Sequence, residues 1–104
     1  MSATFIYVTA SCYEDAHRIG SAMVTERLAA CANLLPGVTS MFWWEGRVQE
    51  SSEVTIILKT RKDLVERLTD RVKELHSYDC PCIVALPITG GNTAFIDWSI
   101  RETS

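Results

Sequence analysis

The sequence predicts an α+β fold, a ferredoxin-like βαββαβ sandwich with a long hairpin and a short C-terminal helix. Three observations predict it. β-branched and aromatic blocks at residues 4–10, 38–44, 54–58 and 83–88 read as strands. Two longer stretches between them carry apolar residues at helical spacing. Their order, strand–helix–strand–strand–helix–strand, is that of the split βαβ arrangement. With 104 residues and no linker, repeat or low-complexity tract, the chain reads as a single domain, residues 1–104. A globule of this size should have a radius of gyration of about 13 Å.

The elements follow in order. Residues 4–10 (Thr-Phe-Ile-Tyr-Val-Thr-Ala) form the first strand. Ser11 and Glu14 then stand at capping-box spacing, where each side chain can satisfy an orphan amide of a helix start. From Tyr13 to about Ala30, Ala16, Ile19, Met23 and Ala30 share one stripe, with Val24 at its edge and Arg27 misplaced within it. Residues 32–35 are followed by a Pro36-Gly37 punctuation and by an apolar run to Trp44. Glu45-Gly46 should turn the chain into a return strand from Arg47 to about Lys59, polar in its outer half and apolar in its inner half.

Thr60 and Asp63 repeat the capping pattern, and Leu64, Leu68, Val72 and Leu75 form the buried stripe of a second helix. Residues 77–81 read as a loop and residues 83–88 as a buried strand ending near a proline. After Gly90-Gly91, Asn92 can cap a last helix bearing Phe95, Ile96, Trp98 and Ile100.

Composition excludes several classes of function. Hydrophobic residues at 47% and charged residues at 22% fit a globular protein rather than a disordered or membrane-spanning one. Ten basic against thirteen acidic residues, without a basic cluster, disfavour nucleic acid as a partner. An RNA-binding sheet of the same topology would need stacking aromatics on its inner strands, and residues 54–58 have none. No nucleophile elbow is present, no arginine-bearing anion loop follows the first strand, and Gly90-Gly91 lacks a phosphate-loop lysine, so no enzyme is expected. His17 reads as a solvated residue. Four cysteines are too few for a disulfide scaffold, and the opening residues read as a strand rather than as the basic start and apolar core of a secretory signal. A reducing cytoplasm with free thiols is the expected setting.

Two features carry functional information. Met41, Phe42, Trp43 and Trp44 are consecutive, so alternation sends one pair toward the helices and the other to the far face. Large apolar side chains left in water mark an interface, and a strand pair that outruns its own core needs another subunit. Phe42, Trp43 and Trp44 are therefore the candidate oligomer contacts. The second feature is Cys80-Pro81-Cys82 with His76 four residues before it, the one cluster of soft ligands. Thiolates with imidazole suit copper(I) or zinc. The spacing is not that of structural zinc sites, and the residues alone favour Cys82 opening a buried strand as a small packed group. Cys12 and Cys31, flanking the first helix, read as packed thiols.

Leu28-Ala29-Ala30-Cys31-Ala32-Asn33, Leu35-Pro36-Gly37-Val38-Thr39-Ser40 and Trp43-Trp44-Glu45-Gly46 closely resemble the CutA divalent-cation-tolerance family. Glu53-Val54, Leu58-Lys59-Thr60, Tyr78 with Pro81, Ala85-Leu86-Pro87-Ile88 and Trp98 continue the match. The resemblance implies a ferredoxin-like protomer, a homotrimer shaped like the PII signalling proteins, and a link to metal tolerance. Copper or another divalent metal is the implied ligand, as reported for bacterial members; animal members are associated with anchoring a membrane cholinesterase. No enzyme activity is implied. In the bacterial metal site a first-strand cysteine stands where this chain has Val8. His76 matches one histidine, while Leu75 and Ser77 replace a second histidine and a proline. Cys82 stands at the place of a glutamate. The metal set expected here is then His76, Cys80 and Cys82. The alternative function is a PII-like small-ligand sensor or scaffold without metal chemistry.

Overall fold

A computed structural model describes residues 2–104. In it β1 (Ala3–Ala10), α1 (Tyr13–Thr25), β2 (Cys31–Trp44), β3 (Arg47–Arg61), α2 (Val65–Leu75), β4 (Ile83–Pro87) and α3 (Thr93–Glu102) follow one another, with a short 3-10 turn at Lys62–Leu64 before α2. The sheet order is β2-β3-β1-β4, antiparallel throughout, as the ferredoxin-like expectation requires.

Directly paired residues of an antiparallel sheet share a face. On one face Ile6 pairs with Leu58, Val8 with Ile56 and Ala10 with Val54, and all six are buried. Ala16, Ile19 and Met23 of α1 and Leu68 and Val72 of α2 complete that core at zero exposure. Each buried Val, Leu, Ile or Met side chain contributes roughly 1.5–3 kcal/mol, which is why two amphipathic helices settle on one side of the sheet. Gly20 lets α1 lie close on the sheet: a Cβ there would stand 3.3 Å from Ala32 Cβ. Phe5, Tyr7, Ile57, Leu35, Val84 and Leu86 belong to the opposite, open face, of which α3 covers only part. Phe95 of α3 lies there with the Lys59 ammonium 5.7 Å from its ring centroid.

Several local expectations are corrected. The N-cap of α1 is Cys12, without a side-chain cap, because Ser11 turns instead to Asp15 at 3.3 Å. The helix ends at Thr25 rather than near Ala30. The misplaced Arg27 takes φ 58° and leaves the helical path, and its guanidinium donates to the Glu102 carbonyl at 2.9 Å, tying α1 to the end of α3. Thr60 does not cap α2; its hydroxyl is buried and donates to the Leu28 carbonyl at 2.7 Å. Asn92 does cap α3, accepting from the Ala94 amide at 3.1 Å. The strand at residues 83–87 is not buried: β4 is a sheet edge, with Val84 and Leu86 49% and 48% exposed.

The hairpin is the largest feature. Glu45 and Gly46 have φ 51° and 79°, the left-handed pair that a two-residue hairpin turn demands. Pro36-Gly37 does not break β2; it forms a bulge, since the register steps from Leu35–Thr55 to Val38–Glu53. Beyond it the hairpin leaves the helices behind, and the molecule measures 43 × 25 × 22 Å with a radius of gyration of 14.1 Å. Consequently neither half of the aromatic run faces the helices. Met41 is 69% exposed, Phe42 39%, Trp43 74% and Trp44 54%.

Candidate functional site

The loop between α2 and β4 is held by residues of α1, β1 and β3. Arg18 of α1 donates to the Leu75 carbonyl at 2.9 Å, closing the end of α2. The next residue, His76, engages both ring nitrogens: Nε2 lies 2.7 Å from the Thr9 carbonyl, and Nδ1 accepts the Tyr78 amide at 3.0 Å. Since Nδ1 accepts, Nε2 carries the proton and donates. The His76 and Tyr78 rings sit 4.7 Å apart and tilted. Ser77 donates to Asp15 at 3.3 Å. Arg18, bonded to the same Asp15, holds its carboxyl below the usual range.

From this loop the Tyr78 hydroxyl reaches Glu53 Oε2 at 2.8 Å, and Glu53 is a buried carboxylate. Burial first, then the Glu53 bond and charge, push the Tyr78 phenol up to about 12. Burial, with the Glu53 charge behind it, also pushes the Cys82 thiol upward. Partial desolvation and an acidic neighbour both disfavour the thiolate, the form that binds metal.

The sequence pointed to this loop, but the structure arranges its residues otherwise. His76 is turned inward onto the backbone, whereas Cys80 and Cys82 are exposed free thiols. Cys82 therefore does not open a buried strand, and Cys12 is exposed rather than packed. Among the described residues no group of three His, Cys, Asp or Glu side chains is placed to hold a metal ion. Sequence reasoning missed Glu53 and its bond to Tyr78. The available signal was a carboxylate directly before the apolar half of β3.

Phe42, Trp43 and Trp44 stand exposed at the hairpin end. Leu35 of the open face is also 43% exposed. Elsewhere, a groove of about 450 Å³ runs between α1 and β2, lined among others by His17, Ser21, Cys31 and Leu34.

A four-stranded antiparallel sheet with its two longer helices on one face, an incompletely covered second face and a projecting hairpin defines a ferredoxin-like α+β protein. The chain matches, over residues 4–102, the family model described as CutA1 divalent ion tolerance protein, and it belongs to that family. It is 46% identical to the divalent-cation tolerance protein CutA of Archaeoglobus fulgidus, covering 95% of both chains. It is 45% identical to protein CutA 1, chloroplastic, of Oryza sativa, over 94% of this chain but only 55% of that protein. The chain thus spans about half the length of such plant relatives. Among solved structures, CutA1 from Oryza sativa superposes with a TM-score of 0.97 at 41% identity, covering 100% of this chain and 95% of that one. The periplasmic CutA from Archaeoglobus fulgidus superposes with a TM-score of 0.94 at 41% identity, over 98% and 99% of the two chains. No helix among the described residues is long and apolar enough to cross a membrane.

Proposed function

We propose that this protein acts as a homotrimer in the response to divalent metal ions, in the cytoplasm, with copper as its candidate ligand and without a catalytic step of its own. The observation that carries the assembly is the exposed apolar surface. Trp43 at 74%, Met41 at 69% and Trp44 at 54% exposure stand on a hairpin that extends past the core. The open sheet face adds Leu35, Val84 and Leu86, each more than 40% exposed. Surface of this kind is costly in water and is normally covered by another molecule. Closed rings of identical subunits are the common way to cover it. The metal part of the reading rests on family membership and on the relatives named for divalent-cation tolerance.

Light scattering on the purified protein tests the assembly, with a mass about three times 11.6 kDa expected. A stable monomer overturns it. Metal analysis of the protein as isolated, followed by copper titration of the reduced form, tests the ligand; absence of copper binding removes it. A sensor of small ligands is the second reading, with the open depression between α1 and β2 as its candidate site. Thermal-shift screening of anionic metabolites, with and without copper, separates the two.

A further inference from the structure

We infer that His76 is a positioning residue of the α2–β4 loop and not a metal ligand, so that this chain does not use the imidazole of the site its family resemblance implies. The fit fails at the donor atoms. A metal bonds to an unprotonated ring nitrogen with a free lone pair. The only such lone pair on His76, at Nδ1, is occupied by the Tyr78 amide at 3.0 Å. The other nitrogen holds its proton against the Thr9 carbonyl at 2.7 Å. Ligation at either position breaks one of these bonds and leaves a partly buried backbone group unpaired, a loss that a solvent-exposed histidine does not incur.

The bonds also explain why a histidine stands there. Thr9 lies one residue beyond the last β1–β4 pair, Val8 with Ile83. Its carbonyl has passed the end of that ladder, and the imidazole takes it. The same ring then fixes the Tyr78 amide and stacks beside the Tyr78 ring at 4.7 Å, which aims the hydroxyl at Glu53, 2.8 Å away. A short series of hydrogen bonds thus joins the ends of β1 and α2 to the middle of β3. Cys80 and Cys82, both exposed, share none of these bonds, so any soft cation taken by their thiols binds without the imidazole. The inference stands on these contacts and does not rest on the trimer proposed above.

Copper(I) alone, added to the reduced protein, is the probe. Nitrogen NMR of the His76 ring should report one protonated and one unprotonated nitrogen, the proton on Nε2, with no change after one equivalent of copper(I). The same spectrum from a protein that takes up no copper(I) also supports the inference. Movement of either ring nitrogen on addition of copper(I) overturns it. His76→Gln gives the second readout. Exchange of the Tyr78 amide should speed up about tenfold, the loss of one net hydrogen bond. A Tyr78 amide as protected as in the parent protein would overturn the positioning role. Should that variant not fold, the ring spectrum of the parent protein decides alone.

Discussion

Tyr78, in the loop before β4, donates its phenolic proton to Glu53 of β3 across 2.8 Å, joining residues that lie 25 positions apart. The bond keeps a buried carboxylate from being orphaned. A hydrogen bond to a charged group is worth roughly 1.5–3 kcal/mol.

Tyr78→Phe should therefore lower stability by about 1.5–3 kcal/mol, measured by urea unfolding at neutral pH. It should also alter the alkaline limb. The native phenol is raised to about 12 from the ordinary 10.0, so its contribution is present below pH 10 and is lost as pH rises toward 12. The substituted protein should lack that loss; an unchanged alkaline profile contradicts the assignment.

The acid limb should depend on Glu26 and Asp15. Arg71 binds Glu26 through two nitrogens at 2.9 and 3.0 Å and holds its carboxyl below the usual range. A lowered native pKa gives stability that is present above the unfolded value and lost as pH falls through the native one. For Glu26 that loss begins below its ordinary 4.5. Glu26→Gln should flatten the decline below pH 4.5, and added salt should shrink the difference, because the pair is exposed. Acid titration followed by circular dichroism, at low and high salt, measures both.

Replacing Trp44 by Asp should reduce the proposed trimer to monomers with the protomer fold intact. Trp44 is 54% exposed and makes no part of the protomer core, whereas a charge buried between subunits costs several kcal/mol. Ultracentrifugation reads the mass and far-ultraviolet dichroism the fold. In the parent protein the melting temperature should rise with concentration, since association adds stability by mass action.

Gly20→Val should cost about 1–3 kcal/mol, the usual penalty for forcing extra carbons into a filled contact. Even the first added carbon meets Ala32 Cβ at 3.3 Å and Leu34 Cδ1 at 3.5 Å. Thermal unfolding of the variant measures it.

The helices and strands could be read from the sequence because their signal is periodic and local. Leu64, Leu68 and Val72 repeat at helical spacing, and all three are buried. What the sequence misassigned depends on partners far along the chain. Thr60 has a capping residue's chemistry, yet its hydroxyl serves Leu28, 32 positions away. Residues 83–87 are apolar like a central strand, yet they form an edge, which only the strand order reveals. At the site, spacing pointed to the loop that carries His76, Cys80 and Cys82. It could not foresee that the His76 ring turns to Thr9, 67 positions back, or that Glu53 meets Tyr78. Hydrogen-bond direction at a loop is set by the tertiary frame, and periodicity carries no trace of it.

The bulge at Pro36-Gly37 governs the sidedness of everything after it. Before it, odd-numbered residues of β2 lie with the odd-numbered residues of β3, as Leu35 does with Thr55. After it the parity inverts, and Phe42 and Trp44 come to lie opposite Gln49 and Arg47. The single supernumerary residue thus acts as a parity bit: it selects Phe42 and Trp44, rather than Met41 and Trp43, for the open side of the sheet. Excising Gly37 alone would leave the composition of the hairpin almost untouched and exchange its two surfaces. Chain length at this point, rather than residue type, sets which surface each of these aromatic side chains joins.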